Sequence, residues 1–403
     1  KTFDMPYFRQ EPIPDKGQKF TDPYFPPNKF SLHGIDSSGK PSDLQAYEAN
    51  KNQIDLNEIT FKRASEIFKG KYLLFKDKIE MDDVKQGGLG DCYFLASIAN
   101  LANYPSLVFD MFKTKDINEE GYFEVILYID GIEQIVIVDD YFPVDSKTLE
   151  PCFAQPNGNE IWVMILEKAW AKVNGGYVNI TGGLPHEALE CLTGFSSLTF
   201  DTEKTDRKDI NAYYSEIVEH IKNADKYDHL ISCGTSSKVK DYEKLGLVEG
   251  HAYTLIDAVQ VISQGQTIDL FKIRNPWSRG EWNGDWSDKS PLWGESEKQQ
   301  VGFVNKDDGI FYMNYQDFFK YFVIIEICPI LYGATSHLYF IEKNEIYEGN
   351  VFNVELKERG VLSVTLLIKS WRIHRELKGK PVPSHVSIVK YDPDEKNSNK
   401  LFS

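Results

Sequence analysis

A single cysteine is the first group in this sequence that could do covalent chemistry. Residues 86–95, QGGLGDCYFL, place three glycines and an aspartate before Cys92 and an apolar run after it. If a helix begins at Cys92, the unpaired N–H groups of its first turn favour the thiolate, which is the form that attacks carbonyl carbons. The glycines let the backbone bring N–H groups near a substrate, and the Gln86 amide could complete an oxyanion hole. The alternative is a structural cysteine, because most free cysteines serve packing.

A nucleophilic cysteine also requires a base and a group that orients that base. Among the eight histidines, His251 differs because it follows a glycine and opens a strand-like segment, whereas the other seven lie in polar contexts typical of solvated surface residues. A second strand-like segment ends at Asn275. If residues 261–265 form a five-residue loop, His251 and Asn275 lie opposite each other, although a register slip would separate them. Asn275 followed by Pro276 is also a common turn starter, so the pair alone does not establish a site.

The elements that must carry these residues follow from the spacing of apolar side chains. CYFLASIANLAN, 92–103, predicts a buried helix, and a second helix over 160–173 ends in glycines. Two β-rich runs flank Asp130 and Gly131, and a D-G dipeptide between such runs is a strong hairpin signal. Two further β-rich runs flank Gly265. The sequence therefore predicts a helical part that carries the cysteine and a β-rich part that carries the histidine and asparagine.

The two ends of the chain have a different character. Residues 1–60 are rich in Pro, Asn, Asp and Ser, and we expect an extended arm with a short helix within 42–60. From about 335 the sequence alternates in the manner of β-strands, which predicts the start of an all-β module. The chain lacks an initial Met and an apolar signal segment, so we interpret it as a fragment or processed form of a soluble protein.

Composition excludes several classes of partner and site. The 403 residues carry a formal net charge of −16, which disfavours nucleic acid or an anionic membrane surface as the main partner. No segment approaches 18 consecutive apolar residues, so no transmembrane segment is expected. The cysteines form no CxxC pair, which disfavours zinc and a disulfide framework and suits the reducing cytoplasm. They are Cys92, Cys152, Cys191, Cys233 and Cys328.

Three blocks of the sequence resemble those of a known protease family. QGGLGDCYFLASIANLA, LVEGHAYTLIDA and IRNPWSRGEWNGDWSDKSPLW are similar to the cysteine, histidine and asparagine blocks of the calpain family of intracellular cysteine proteases. NEIWVMILEKAWAKVNGGY and IVDDYFPV match further family segments, and the resemblance runs from about residue 61 to 329. Tyr93 departs from the family, which usually has Trp beside the nucleophile, and we expect altered packing rather than lost chemistry.

The resemblance implies an α+β fold with a two-lobed papain-like core. Residues 61–200 would form a largely helical lobe and residues 201–330 a β-rich lobe. An N-terminal extension, 1–60, would precede the core, and residues 331–403 would begin a calpain-type β-sandwich that they are too short to complete.

The resemblance also implies a role for each residue of the site. Cys92 would be the nucleophile, His251 the general base and acid, and Asn275 the group that orients the imidazole. Gln86 and the Cys92 N–H would form the oxyanion hole. Trp277 is similar to the tryptophan that family members place between the two halves of the cleft.

Calcium is implied as well, with one ion in each lobe. In the first lobe the matching carboxylates are Asp83 and Glu160, with carbonyls from around Lys76 and Lys78. Lys78 replaces the family's usual glycine, which changes the charge and the conformational freedom of that loop. Solvated surface charge is the alternative for these acids, because the chain has 61 acidic residues.

The second calcium site departs further from the family. Glu281, Asp288 and Asp308 match, and the Lys306 carbonyl falls at the remaining backbone position. Ile310 stands where the last acidic ligand is expected. Because calcium takes six to eight oxygens and its affinity follows the carboxylate count, this site should be weakened or lost.

The resulting prediction is a cytoplasmic cysteine endopeptidase that hydrolyses protein substrates through an acyl-enzyme and is regulated by calcium. Regulatory domains or a further subunit would lie outside this chain. One alternative is an inactive calpain-like scaffolding protein. Another is a transglutaminase-type acyl transferase, which would normally orient its base with Asp rather than with Asn275.

Overall fold

The computed structural model describes residues 14–34, 54–236, 238 and 242–331, and the backbone of 388–390 and 400–402. The chain divides into two compact units, Lys1–Ile330 and Leu331–Ser403. Helices and antiparallel strands are both abundant in the first unit, so the fold class is α+β. Most of the predicted β-sandwich, and most of the predicted helix within 42–60, lies outside the described residues.

The helices and strands are numbered here in chain order within the described residues. The helices are α1 Lys29–His33, α2 Ala64–Ile67, α3 Cys92–Ala102, α4 Pro105–Met111, α5 Trp162–Val173, α6 Pro185–Thr193, α7 Ile210–Lys226, α8 Glu295–Val301 and α9 Tyr315–Tyr321. The strands are β1 Ile59–Arg63, β2 Tyr122–Ile129, β3 Ile132–Asp139, β4 Tyr141–Asp145, β5 Leu198–Asp201, β6 Leu230–Thr235, β7 Ala252–Ser263, β8 Gln266–Arg274, β9 Ile310–Asn314, β10 Phe322–Cys328, β11 Ile388–Lys390 and β12 Lys400–Phe402.

The helix that carries Cys92 forms where the apolar run predicts it. Every residue of α3 after Cys92 is buried, because the run is apolar on all sides and the helix lies inside the protein. Two buried side chains fasten α3 to the sheet: Thr254 Oγ1 donates to the Ala96 carbonyl at 2.8 Å, and Asn100 Nδ2 donates to the Ile231 carbonyl at 2.7 Å. The cysteine helix therefore has a fixed position relative to β6 and β7.

The main sheet has six strands in the order β5-β10-β6-β7-β8-β9, and every pair in it is antiparallel. Gln264 and Gly265 have φ of 50° and 78°, and Ser263 pairs with Gln266 across them. The β7–β8 turn therefore has two residues, and the predicted five-residue loop is wrong. Positive φ at both central positions is the conformation that fits the twist of a tight hairpin.

The first described segment packs on the helical part. The Lys172 ammonium on α5 lies 2.5 Å from Asp22, and both side chains are buried. Asp22 N–H also donates to Asp139 Oδ2 at 2.7 Å, and the buried ring of Phe25 lies 5.7 Å from that of Tyr177. This part of the predicted N-terminal arm thus belongs to the core of the first unit.

The first unit also has two two-stranded antiparallel sheets: β1 pairs with β4, and β2 forms a hairpin with β3. The β2–β3 turn falls at Asp130 and Gly131, both at positive φ, as the D-G dipeptide predicts. Within the described ranges, none of the helices has the length and apolar character needed to cross a membrane.

Candidate active site

Cys92 is the first residue of α3 and has Asp91 before it as the N-cap residue. The Cys92 side chain is partly exposed, and the Ala252 N–H faces its sulfur. Burial raises the pKa of the thiol to about 11, and the Asp91 carboxylate adds to this rise, while the N–H groups of Ala252 and Tyr93 oppose it. The N–H groups at the start of the helix favour the thiolate as expected, but desolvation outweighs them.

His251 and Asn275 lie in contact. His251 Nε2 is 2.9 Å from Asn275 Oδ1. Asn275 Nδ2 donates to the Gly280 carbonyl, and Oδ1 accepts from the Trp277 N–H, both at 3.1 Å. The orientation of this amide is therefore set, so Nε2 must be the protonated ring nitrogen and Nδ1 keeps its lone pair.

The β7–β8 hairpin explains this contact. His251 immediately precedes β7 and Asn275 immediately follows β8, so the open end of the hairpin brings them together. The pairing is shifted by a bulge between Leu255 and Asp257. The two residues meet although the register differs from the predicted one. The His251 N–H also donates to Thr235 Oγ1 at 2.9 Å, which ties the histidine to β6.

The imidazole of His251 is buried, with 5% of the residue exposed. Burial lowers its pKa to about 4, and the hydrogen bond to Asn275 opposes only part of that shift. With the thiol pKa raised and the imidazole pKa lowered, the neutral thiol and the neutral imidazole are the stable forms between those values. Desolvation thus favours the neutral form of each of the two groups.

Gln86 and Trp277 face each other across the same region. Trp277 Nε1 donates to Gln86 Oε1 at 2.7 Å, and Gln86 Nε2 donates to the Leu89 carbonyl at 2.7 Å. The Gln86 N–H also donates to the Pro276 carbonyl at 3.2 Å. The Trp277 ring lies 4.8 Å from the His251 ring. One side chain thus contacts both the expected oxyanion donor and the expected base.

Gly87 and Gly88 were expected to let backbone N–H groups approach a substrate. The structure gives them a different role, in the packing of the loop. A Cβ on Gly87 would lie 1.9 Å from the Phe153 carbonyl oxygen, and one on Gly88 would lie 2.6 Å from Ile54 Cδ1. The Gly88 N–H donates to the Cys152 carbonyl at 2.8 Å. Gly87 is required because neighbouring backbone leaves no room for a side chain, whereas a Cβ on Gly88 would displace the end of the Ile54 side chain.

Arg274 is a buried residue of the site that the sequence analysis missed. Its Nη2 donates to the Val84 carbonyl at 3.0 Å and to Ser278 Oγ at 2.9 Å, so it joins the segment before Gln86 to the segment after Asn275. Burial lowers the pKa of this guanidinium to about 10. The available signal was a charged residue at the end of an apolar strand, directly before Asn275.

Asp83 and Glu160, here called the first acidic pair, lie together and are both buried. Burial and a hydrogen bond to Asp83 raise the Glu160 pKa to about 7. The Lys76 N–H donates to Glu160 Oε2 at 3.1 Å, and Asn157 Nδ2 donates to Asp83 Oδ1 at 3.1 Å. Two buried carboxyl groups in contact are a donor set that fits calcium.

Glu281, Asp288 and Asp308, here called the second acidic set, also lie close together, and burial raises the pKa values of Glu281 and Asp288. Glu281 Oε1 accepts from the Asp308 N–H at 3.0 Å, and Asp288 Oδ2 accepts from the Lys306 N–H at 3.3 Å. Lys306 Nζ lies 3.5 Å from Asp308 Oδ2. Ile310 contributes only its N–H, which donates to Asp308 Oδ1 at 3.0 Å. This set fits a calcium ion less well than the first acidic pair, since the Lys306 ammonium lies beside one of its carboxylates.

In the described part of the chain, no group of three or more His, Cys, Asp or Glu side chains is arranged to hold a metal ion. The first acidic pair supplies two carboxyl groups, so a calcium site there would need backbone carbonyls for the remaining oxygens.

Comparison with known proteins decides the family. The sequence profile described as "Calpain family cysteine protease" matches residues 20–329. The chain belongs to the calpain family. It is 35% identical over 331 residues to the calpain-1 catalytic subunit of Rattus norvegicus, and the aligned region covers 79% of this chain and 43% of that protein. It is 33% identical over 326 residues to the calpain-type cysteine protease DEK1 of Arabidopsis thaliana, and that aligned region covers 80% of this chain and 14% of that protein. The chain thus spans less than half the length of these relatives.

Two features refine the resemblance to calpains. The family match begins at residue 20, well before residue 61, in agreement with the packing of Asp22 and Phe25 on the core. Tyr93, the residue that replaces the usual Trp, is fully buried, and its hydroxyl accepts a 3.1 Å hydrogen bond from Trp170 Nε1. The substitution is therefore accommodated by a polar contact inside the helical part.

Proposed function

We propose that this chain is a cysteine endopeptidase in which Cys92, His251 and Asn275 form the catalytic triad. The observation that carries the proposal is the 2.9 Å contact between His251 Nε2 and Asn275 Oδ1, next to the Ala252 N–H that faces the Cys92 sulfur. Membership of the calpain family supports the same reaction. An asparagine rather than an aspartate beside the histidine favours a protease over a transglutaminase-type enzyme.

Because desolvation favours the neutral thiol, the first step must move its proton to the imidazole. Nδ1 of His251 takes the thiol proton as Cys92 Sγ attacks the carbonyl carbon of the scissile peptide bond. The N–H groups near the sulfur stabilise the charge that develops there, and the Cys92 N–H and Gln86 Nε2 donate to the oxyanion. His251 then gives the proton to the leaving amine, and an acyl-enzyme remains on Cys92.

Hydrolysis of the acyl-enzyme uses the same groups. Nδ1 of His251 takes a proton from a water molecule as that water attacks the thioester carbonyl, and it returns the proton to the departing sulfur. Asn275 keeps the ring in the orientation that both steps require.

The domain organisation belongs to the same proposal. A helical lobe at 61–200 and a β-rich lobe at 201–330 would form a two-lobed papain-like core, and the site would lie where α3 faces the β7–β8 hairpin. The positions of α3 to α6 before residue 200, and of the six-stranded sheet after residue 197, support this division. Residues 1–60 as an N-terminal extension stay a prediction, although the family match from residue 20 and the packing of Asp22 and Phe25 join part of it to the core. Residues 331–403 as the start of a β-sandwich also stay a prediction.

Calcium regulation is also part of the proposal. Asp83 and Glu160 would hold a calcium ion in the first lobe, and Glu281, Asp288 and Asp308 would bind a second ion more weakly. A bound ion would neutralise these carboxylates and order the segments that carry them. Asp83 lies three residues before Gln86, so order at the first acidic pair would extend to the expected oxyanion donor.

The proposed reaction indicates the class of substrate, and the state of the cysteines indicates the compartment. Protein segments in extended form would be the substrates, and further domains or a subunit could regulate the enzyme. All five cysteines are free thiols, which supports the reducing cytoplasm as the compartment.

The test is peptidase activity of the purified chain, together with labelling by a thiol-directed peptide epoxide. Cleavage of a peptide and labelling of Cys92 are expected for the wild type, and both should be lost in Cys92→Ser. Because the nucleophile and the base act as a unit, His251→Ala and the double variant should be about as inactive as Cys92→Ser. A folded wild type that neither cleaves nor reacts would be the inactive scaffolding protein, and incorporation of an amine into a glutamine substrate would identify an acyl transferase.

A further inference from the structure

Two acidic side chains meet in the interior behind Cys92. Asp91 is fully buried, and Glu167 on α5 is 3% exposed. Glu167 Oε1 accepts a 2.8 Å hydrogen bond from the Ala154 N–H. Among the described residues, no N–H or O–H of another residue donates a hydrogen bond to either carboxylate oxygen of Asp91 when both acids are ionised, and only its own backbone N–H faces the carboxylate. The group within hydrogen-bonding reach is the Glu167 carboxyl, so a bond between the two acids requires that one of them carry a proton.

The position of Asp91 makes its orientation informative. An aspartate at the N-cap usually accepts a hydrogen bond from an N–H of the first helical turn. Asp91 makes no such side-chain bond, while its carbonyl accepts from the N–H groups of Phe94 at 2.9 Å and Leu95 at 3.1 Å. The Asp91 side chain thus does not accept the usual N-cap hydrogen bond and instead faces Glu167 in the interior.

The surroundings of the pair contain no compensating cation among the described residues. No Lys or Arg is among the groups that act electrostatically on either acid. The polar groups nearby are the buried Tyr177 hydroxyl and the thiols of Cys92 and Cys152. Burial raises the pKa of Asp91 to about 7, and burial together with the Asp91 charge raises the pKa of Glu167 well above its ordinary value.

We propose that Asp91 and Glu167 share a proton, and that the resulting hydrogen bond holds the first turn of α3 so that Cys92 stays aligned with His251. Glu167 is then a positioning residue, which acts through Asp91 and does not touch substrate. The positioning role rests on the proposed protease function, whereas the shared proton does not. Because they share a proton, Asp91 and Glu167 together place at most one negative charge behind Cys92.

The shared proton can be measured without any activity. A carboxyl whose pKa is higher in the folded than in the unfolded chain binds a proton in the native state that the unfolded chain has already released. Its contribution to stability therefore falls as pH rises from the unfolded pKa to the folded pKa. Glu167→Gln keeps a donor to Asp91 and an acceptor for the Ala154 N–H but has no proton to lose.

Urea unfolding of the wild type and of Glu167→Gln between pH 5 and 7 tests this half of the proposal. The stability of the wild type should fall more steeply with pH, by up to one proton, which is about tenfold in the unfolding constant per pH unit. Glu119→Gln, a change on the exposed surface, is the control for loss of a carboxyl group and should keep the wild-type slope. Equal slopes for the wild type and Glu167→Gln would overturn the shared proton.

Kinetics on a peptide substrate test the positioning half. Glu167→Gln should keep kcat near the wild-type value, whereas Glu167→Leu should lower kcat by about tenfold or more with little change in KM. Asp91→Ser is the second disrupting variant, because serine can cap α3 but is too short to reach Glu167, and it should also lower kcat. A folded Glu167→Leu or Asp91→Ser protein with wild-type kcat would overturn the positioning role. If the wild type cleaves no peptide, the protease proposal fails, and the unfolding slopes still decide whether the proton is shared.

Discussion

The indole Nε1 of Trp277 donates a 2.7 Å hydrogen bond to Oε1 of Gln86. This bond fixes which end of the Gln86 amide faces the indole, so Nε2 is left to donate to the Leu89 carbonyl and, in the proposed mechanism, to an oxyanion. The same tryptophan packs its ring near the ring of His251. Trp277 thus has two separable roles, a ring that contacts the base and an N–H that orients the oxyanion donor.

Trp277→Phe should separate these roles, because phenylalanine keeps an aromatic ring and removes the N–H. We expect kcat to fall by about tenfold with KM nearly unchanged, since oxyanion donors act in the transition state. Gln86→Ala should lower kcat further. Since Trp277 acts through Gln86, the double variant should be no worse than Gln86→Ala, and fully additive losses would contradict this account.

Asn275 offers a test through pH dependence. Asn275→Ala removes the acceptor for His251 Nε2 and should lower kcat by about ten- to a hundredfold, with a small effect on KM. Asn275→Asp keeps an acceptor oxygen and adds a negative charge, which favours the imidazolium. The pKa of His251, now lowered to about 4 by burial, should rise in this variant, and the acid limb of the kcat/KM profile should move to higher pH. An unchanged acid limb would remove His251 as the titrating base.

Local sequence patterns predict the part of this site that depends on strand and helix ends. Cys92 starts a helix because an apolar run follows a glycine loop, and His251 meets Asn275 because both lie at the open end of one hairpin. The predicted register fails because the turn has two residues and a bulge follows. Strand ends nonetheless suffice to place the two side chains together.

Features that depend on burial or on distant partners could not be predicted in this way. The thiolate expected for Cys92 followed from the helix end, whereas the desolvation that raises its pKa depends on the whole fold. The sequence gives no local sign that Lys172 pairs with Asp22, since 150 positions separate them. His186 was expected to be a solvated surface residue, yet its Nδ1 lies 2.6 Å from Oε1 of the fully buried Glu326.

The contact between His186 and Glu326 predicts a pH dependence of stability. Burial opposes the charge on His186, but the hydrogen bond and charge of Glu326 outweigh it, so the pKa of the imidazole is raised above 6.5. The stability that this contact provides is fully present below the unfolded pKa and is lost as pH rises through the folded pKa. His186→Gln should therefore remove a fall in unfolding free energy that the wild type shows on the alkaline side of about 6.5.

His229→Gln is the control for this measurement, because burial lowers the pKa of His229. Because the folded chain binds this proton less readily than the unfolded chain, His229 lowers the unfolding free energy only as pH falls below about 6.5. The unfolding free energy of the control should therefore differ from that of the wild type on the acid side. Urea midpoints at intervals from pH 5 to 9 distinguish the two. A His186→Gln curve parallel to that of the wild type above pH 6.5 would mean that the contact with Glu326 does not stabilise the fold.

Ile310 should limit calcium binding at the second acidic set. In the second acidic set Ile310 offers no side-chain oxygen, and Lys306 Nζ lies 3.5 Å from Asp308 Oδ2 and 3.8 Å from Asp82 Oδ2. The Lys306 ammonium near these carboxylates disfavours a second cation, whereas the first acidic pair is buried. Isothermal titration should therefore show tighter binding at Asp83 and Glu160 than at the second set. Asp83→Ala should weaken the tighter of the two binding events.

Ile310→Glu adds a carboxylate beside Asp308 and should tighten the weaker event, with a shift of the activation midpoint to lower calcium. Ile310→Gln is the matched control, because it has the same length and a neutral oxygen and should have a much smaller effect, since affinity follows ligand charge. If both calcium ions drive a single closure of the two lobes, activation should be cooperative. Ile310→Glu should then steepen the dependence of activity on calcium concentration. Two equally tight events in the wild type, or equal effects of Glu and Gln, would show that the missing carboxylate does not limit calcium binding.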